Sequence, residues 1–172
     1  MACRGDSVES VAAWIAAVER ADGPTALLFT RQNVPFQKRD AHTVAAIARG
    51  GYVLSDSQEP KAVIVATGSE VQLAIGAKQE LAKEGISVRV VSMPCTSVFD
   101  RQPPMYKDVV LIPTLRKIAV EAGVSDYWRK YVGLEGAVVG IDRYGESAPG
   151  GKLFEYFGFT VEKVVRAVKS VL

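Results

Sequence analysis

Residues 62–91 read AVIVATGSEVQLAIGAKQELAKEGISVRVV, and the order of their parts decides the fold. Ala62 to Ala66 is a short apolar run after Pro60, bounded by polar residues, as suits a strand covered on both faces. Ser69 stands where a helix cap belongs. Val71, Ala74, Ile75, Leu81 and Ala82 then share one helical face, with Gln72, Gln79 and Lys83 opposite and Lys78 intruding on the apolar side. Gly85 ends that helix, and Ile86 to Val91 reads as the next strand. Strand, helix and strand in this order require a right-handed crossover between parallel neighbours.

Downstream, Ile118 to Glu121 and Ala137 to Ile141 are further strands, separated by a short helix carrying Tyr127, Trp128 and Tyr131. Tyr52 to Leu54 precedes the central run as another strand. Thr160 caps a last segment in which Val161, Val164, Val165, Val168 and Leu172 fall at helical spacing, and that period outweighs the preference of valine for strands. The pattern predicts an α/β fold: a three-layer open sheet of about five mostly parallel strands flanked by helices. Upstream, Asp6 and Glu9 form a capping pair for a helix in which Val8, Val11, Ala12, Ile15 and Val18 recur at helical spacing, to about Arg20. Ala21-Asp22-Gly23-Pro24 breaks it, and Thr25 to Thr30 (TALLFT) reads as a buried strand. Residues 34–39 form a polar linker before a short helix around Thr43 to Ala48 and the Gly50-Gly51 pair.

The 172 residues suffice for one generous α/β domain or a modest domain with an added segment. Hydrophobic residues make up 48% and charged ones 23%, which excludes disorder and fibrous structure. Lysine and arginine (21) nearly cancel aspartate and glutamate (19), so a formal charge of +2 supplies no field for polyanions. Neither nucleic acid nor an anionic membrane is expected as a partner. Cys3 and Cys95 lie far apart, outside any C-x-x-C spacing, and read as two reduced thiols. The single histidine, His42, builds no metal cluster and reads as a surface residue; no metal ligand is expected. No apolar run nears the roughly 18 residues of a membrane span and the N-terminus lacks a signal pattern, so a soluble, cytoplasmic chain is expected.

Gly145-Glu146-Ser147-Ala148-Pro149-Gly150-Gly151-Lys152 misses the register of a phosphate-binding loop. Gly151 follows Gly150 where the lysine belongs, and Leu153 replaces the hydroxyl residue. The segment reads as a turn leading into a helix. Thr67-Gly68-Ser69-Glu70 joins a strand to a helix, where unpaired N–H groups and the helix dipole hold anions. Ser69 capping its own helix competes with that reading, and Glu70 would repel a phosphate. Arg4-Gly5-Asp6 matches a short adhesion tripeptide with no secretory feature beside it. Glu121, Asp126, Asp142 and Glu146 show no spacing that marks a general acid and base pair, and no serine or cysteine nucleophile sits in a motif. Arg31 differs. Just after an apolar strand, its planar guanidinium falls at the carboxyl edge of a sheet, where phosphate is a natural partner, although an exposed or ion-paired arginine fits the same position.

Several stretches taken together resemble one family: DGPTALLFTRQN (22–33), IARGGYVL (47–54), ATGSEVQLA (66–74), VRVVSMP (88–94), FDRQ (99–102), IAVEAG (118–123), DYWRKYVGLEGAVVGIDRYGESAP (126–149) and FGFTVEKVV (157–165). Nearly the whole chain is similar to the C-terminal portion of transketolase. The resemblance implies that residues 1–39 are the end of a pyrimidine-binding domain with its linker, a helix–strand remnant of another α/β domain, and that residues 40–172 are the C-terminal domain. It implies a parent transferase that moves a two-carbon ketol unit from a ketose phosphate to an aldose phosphate in the pentose phosphate pathway, with thiamine diphosphate and magnesium as cofactors. The family's Gly-Asp-Gly motif, its asparagine, the upstream histidines and the activating glutamate have no counterparts here. The chain alone is therefore expected to hold no catalytic or cofactor-binding residue and to be inactive. What carries over is the arginine of the family's Ser/Thr-Arg-Gln-Asn segment, Arg31, which the resemblance makes the anchor for the substrate's terminal phosphate. The implied partners are a sugar phosphate, the remaining transketolase domains and a second copy in a homodimer, with exposed apolar surface on the chain by itself. The alternative function is an autonomous anion-binding regulatory module built on the Thr67 to Glu70 turn.

Overall fold

A computed structural model describes residues 2–172, with side chains from Gly5 onward; the Cys3 and Arg4 side chains lie outside the described residues. The chain opens on a small βαβ unit in which β1 (Ala2–Arg4) and β2 (Leu27–Phe29) pair in parallel, joined by α1 (Ser7–Glu19). Asp6 starts α1 by accepting the Glu9 amide at 3.2 Å, while the Glu9 carboxylate accepts the Gly5 amide at 2.8 Å. This is the capping pair of the sequence, with the return bond moved one residue outward. A connection leads to α2 (Ala41–Ala46), where Asp40 accepts the Thr43 amide, and to a 3₁₀ turn at Ile47–Arg49. Gly50 ends the turn at φ 82°, and a Cβ there would lie 2.4 Å from the Cys95 carbonyl oxygen, so only glycine fits.

The larger unit follows: β3 (Tyr52–Ser55), β4 (Ala62–Ala66), α3 (Val71–Lys83), β5 (Val88–Ser92), α4 (Thr96–Asp100), α5 (Pro104–Leu111), β6 (Arg116–Val120), α6 (Arg129–Val132), β7 (Ala137–Val139), α7 (Gly150–Phe157) and α8 (Val161–Lys169). Its strands run in the order β3-β5-β4-β6-β7, all neighbours parallel except β3, which lies antiparallel to β5 at one edge. β4 is central and wholly buried. Ala62, Ile64 and Ala66 pack with Ala74 and Leu81 of α3 and Val164 and Val168 of α8, whereas Val63 and Val65 pack with Phe99, Val110 and Trp128. Alternation between two covered faces gives the three layers expected. The valine-rich α8 is helical as its period requires, and Thr160 caps it by accepting the Lys163 amide at 3.2 Å.

Three expectations need correction. TALLFT is not a buried strand: β2 covers only Leu27–Phe29, and Leu28 and Phe29 stay 43% and 47% exposed because α1, with Trp14 stacked on Phe29, is the one α-helix among the described residues that packs on this two-stranded sheet. The apolar stripe of α1 shares that condition at Val11, Ile15 and Val18. Ser69 caps no helix; its hydroxyl turns to Glu70, and α3 begins after a 3₁₀ turn at Gly68–Glu70. α4 and α5 add two short helices beyond those the sequence pattern predicts, and Pro104 opens α5 in a first turn where its missing N–H is no loss. Lys78 leaves the apolar face by carrying its ammonium to the Ser55 hydroxyl and the Asp56 carbonyl.

A buried ionic cluster joins the two units. Arg39 places Nη1 2.6 Å from Asp6 Oδ2 and Nη2 3.5 Å from Glu9 Oε1, and its Nε donates to the Tyr52 hydroxyl at 2.8 Å. Tyr52 donates onward to Glu9 at 2.7 Å, and the Ser92 hydroxyl donates to the same carboxylate. The Arg39, Asp6 and Glu9 side chains are 2%, 3% and 0% exposed. Burial pushes the Asp6 carboxyl up, but hydrogen bonds from Arg39 and from the Gln37 and Glu9 amides outweigh it and hold the group below the usual range. Removing one member strands a buried charge. Arg39→Gln should cost about 3–5 kcal/mol and Tyr52→Phe about 1–3 kcal/mol in urea unfolding at unchanged m. Negligible losses in both variants would show that the cluster does not hold the units together.

Candidate functional site

Arg31 lies two residues beyond the carboxyl end of β2. The Thr30 hydroxyl accepts the Gln32 amide at 3.1 Å, a side-chain turn that swings the chain outward at this point. Arg31 is exposed and has no carboxylate partner among the described residues. Gln32 packs over Gly150 at the start of α7, where a Cβ would come within 2.8 Å of its amide nitrogen. The loop after β2 thus meets the loop after β7 across a cleft of about 190 Å³ bounded by Gln32, Ala122, Ile141, Glu146 and Phe154. Of the nearby charges, Asp142 and Arg143 are committed elsewhere, while Glu146 borders the cleft from an exposed position. Asp142 accepts both the amide and the hydroxyl of Ser125, and Arg143 lies over the Tyr156 and Phe157 rings at 4.8 Å from each centroid. A guanidinium left open in this way can fork two hydrogen bonds onto a phosphate.

The Thr67 to Glu70 turn occupies the other carboxyl edge, where the chain leaves β4 beside β6. Successive connections depart there in opposite directions, the usual place for a ligand crevice in an open α/β sheet. The groups present oppose an anion. Glu70 accepts from the Ser69 hydroxyl at 3.2 Å and from the Ala122 amide at 3.4 Å, and Glu121 takes the Trp128 indole N–H. Burial pushes the Glu70 carboxyl up to about 7 against the hydrogen bonds that lower it, and the neighbouring Glu121 charge adds to the rise. Burial raises Glu121 as well, against the indole bond. The Glu70 and Glu121 carboxylates therefore line the edge that an anion-binding module would use, and the guanidinium that shares a pocket with Gly68 and Ser69, Arg39, is committed to Asp6 and Glu9. Glu121 and Glu70 meet across 51 residues of sequence; the only sign available beforehand was that each follows a strand at its carboxyl end.

The remaining sequence candidates are dispersed. His42 is exposed on α2, Lys152 on α7, and Asp126 and Glu146 on loops or turns. Asp6 is buried in the ionic cluster, so the Arg4-Gly5-Asp6 triplet does not present its acid to a receptor. Cys95 is half-buried and in no disulfide. Among the described residues, no group of His, Cys, Asp and Glu converges to hold a metal, and no helix is long and apolar enough to cross a membrane.

The family model described as the transketolase-like TK C-terminal domain matches residues 50–160. Transketolase 2 of Vibrio vulnificus (strain CMCP6) is 53% identical over 169 residues, which make up 97% of this chain and 26% of that protein. The solved transketolase from Leishmania mexicana superposes with a TM-score of 0.91 at 40% identity, covering 99% of this chain and 24% of the other. A transketolase from Pichia stipitis, solved in complex with sedoheptulose-7-phosphate, superposes with a TM-score of 0.91 at 34% identity and the same coverage. The chain spans about a quarter of the length of the relatives it matches.

The raised Glu70 pKa has a signed consequence. Because the folded state holds this proton more tightly than the unfolded chain, whose value is near 4.5, stability should fall as pH rises from about 4.5 to about 7 and level off above. The full effect amounts to about 3 kcal/mol. In Glu70→Gln that decline should flatten, measured as unfolding midpoints across pH 4–8 beside the unchanged chain. Parallel profiles for the two proteins would refute the assignment.

Proposed function

The chain belongs to the transketolase family, whose C-terminal region it matches, and we propose that within a complete transketolase it supplies Arg31 as the anchor for the terminal phosphate of the sugar substrate. The observation that carries this reading is the exposed guanidinium without a carboxylate partner, set on the Thr30 turn and braced by Gln32 against Gly150. The family resemblance assigns phosphate binding to this arginine, and the complex of the Pichia stipitis relative with sedoheptulose-7-phosphate supports a sugar phosphate as the substrate class. Held far from the reacting carbons, such a contact contributes binding energy and orientation rather than a proton or an electron pair.

The same reading makes residues 1–39 the end of the pyrimidine-binding domain with its linker, and residues 40–172 the C-terminal domain. The whole enzyme would exchange two-carbon ketol units between ketose and aldose phosphates of the pentose phosphate pathway, as a cytoplasmic homodimer. Thiamine diphosphate with magnesium supplies carbanion stabilisation in that reaction. The described residues do not fit that group. No metal-holding cluster is present among them, and the crevice edge offers a diphosphate the Glu70 and Glu121 carboxylates. No step of this chain's chemistry therefore runs through the coenzyme, and the chain by itself is expected to be inactive. The bare apolar stripe of α1, together with Leu28 and Phe29, favours contact with the remaining domains or a second copy.

Two experiments bear on this reading. Titrating the chain with thiamine diphosphate and magnesium should give no saturable heat, and stoichiometric binding would contradict it. Arg31 is tested by grafting the chain in place of the matching 169 residues of the Vibrio vulnificus transketolase. There, Arg31→Ala should raise KM for a ketose phosphate by roughly tenfold to a hundredfold with kcat largely kept, the signature of a lost charge-assisted contact shared by ground and transition states. An unchanged KM would remove Arg31 from the substrate site.

A further inference from the structure

A cavity of about 140 Å³ opens between α1 and α4, away from Arg31 and from the Glu70 edge. Its walls are largely apolar. Ala13 and Ala16 of α1 face Ile47, Pro94 and Val98, and the short alanine side chains leave the space that longer ones would fill. Cavities of ~150 Å³ with such walls hold a six-membered ring.

Thr25 presents a buried hydroxyl inside, and charged groups stand at the exposed side. Arg20 and Arg101 both stand there, exposed. Arg20 places Nε 2.8 Å from Asp22 and donates Nη1 to the Pro24 carbonyl, so its charge is spent locally. Asp22 feels the field of Arg101 as well, but it is a single carboxylate facing two guanidinia, and one positive charge is left over. The Ser97 hydroxyl also lines the cavity, 3.5 Å from the Cys95 thiol. Glu9 bounds the inner end without opposing an anion, because its carboxylate is turned to Tyr52, Ser92, Gly5 and Arg39 with no exposed surface.

We propose that this cavity binds a small monocarboxylate with a compact apolar body, the body against the α1 alanines and the carboxylate on Arg101 with the Ser97 hydroxyl beside it. The Arg101 guanidinium, which is in no ion pair among the described residues, matches one carboxylate, and a dianion would carry a second charge into a largely apolar mouth. Such a ligand would touch α1 in the small unit and Pro94 to Arg101 in the large one, so binding would also clamp the two units together. The proposal stands on this geometry alone and is independent of the reading of Arg31.

Benzoate is the probe, with benzylamine as the same ring carrying the opposite charge, both titrated into the full chain by ligand-observed NMR and followed by amide shifts. Benzoate should saturate and bind at least roughly tenfold more tightly than benzylamine, with shifts centred on residues 94–101 and on α1. Arg101→Gln, an exposed change that leaves the fold intact, should erase that preference, and Arg101→Lys should keep part of it. Ala16→Phe should fill the cavity and abolish binding of both probes. Equal binding of the two probes, unaltered benzoate binding to Arg101→Gln, or no saturable signal by about 10 mM in the unmodified chain overturns the proposal.

Discussion

The larger unit is governed by the need to cover both faces of β4. Its five side chains alternate between two cores and none retains accessible surface, so helices must lie on either side of the sheet. Its backbone must be satisfied at both edges too, and β5 and β6 provide parallel ladders along the whole of Ala62–Ala66. The remaining strands are then edges. β3 closes one by running antiparallel and carries charge beyond it, where Asp56 forks onto Arg89 of β5 with an Nη2–Oδ2 distance of 2.6 Å. A charged pair at that margin also discourages a further strand from adding there.

The small unit attaches by a different kind of force. β2 and the apolar stripe of α1 still face outward, and the Asp6, Glu9, Arg39, Tyr52 and Ser92 cluster fixes the unit's position on the large sheet. Asp6 does three jobs with one carboxylate: it caps α1, accepts the Gln37 amide and pairs with Arg39. Desolvating these charges is costly, and an apolar substitute could match their stability. What an apolar patch could not supply is direction, because each bond of the cluster is met at a single relative placement of α1, the linker and β3.

The contrast explains which features could be read from sequence. Periodicity reveals an element whose residues answer to one neighbour at fixed spacing, so the strand–helix–strand core and even the valine-rich α8 were legible. β1, with three residues, is too short to carry a period, and α4 and α5 hide behind a proline pair. The Asp6 and Glu9 cap was visible because its partners lie within four residues, whereas Arg39 is 33 residues from Asp6 and only the fold brings them together. The sequence around Arg31 fits an ion-paired surface residue and an open guanidinium equally. That choice depends on where every acid of the chain finishes, which no local pattern reports.

Placement of charge then separates two carboxyl edges that look alike in sequence. Each consists of an apolar strand followed by a polar turn, TALLFT-Arg-Gln-Asn in one and AVIVA-Thr-Gly-Ser-Glu in the other. The second has the better geometry for an anion, since it lies at the switch point of the large sheet and leads into a helix. Its electrostatics decide otherwise, because Glu70 and Glu121 sit in a partly desolvated crevice where repulsion is weakly screened. The first edge has the poorer scaffold, only two strands, but a cation that no carboxylate among the described residues pairs with. Gln32 on Gly150 lends it the rigidity of the larger unit. If Arg31 holds a phosphate as proposed, the polarity of the side chains at the strand ends, rather than the topology that creates the crevice, selects the edge that does so.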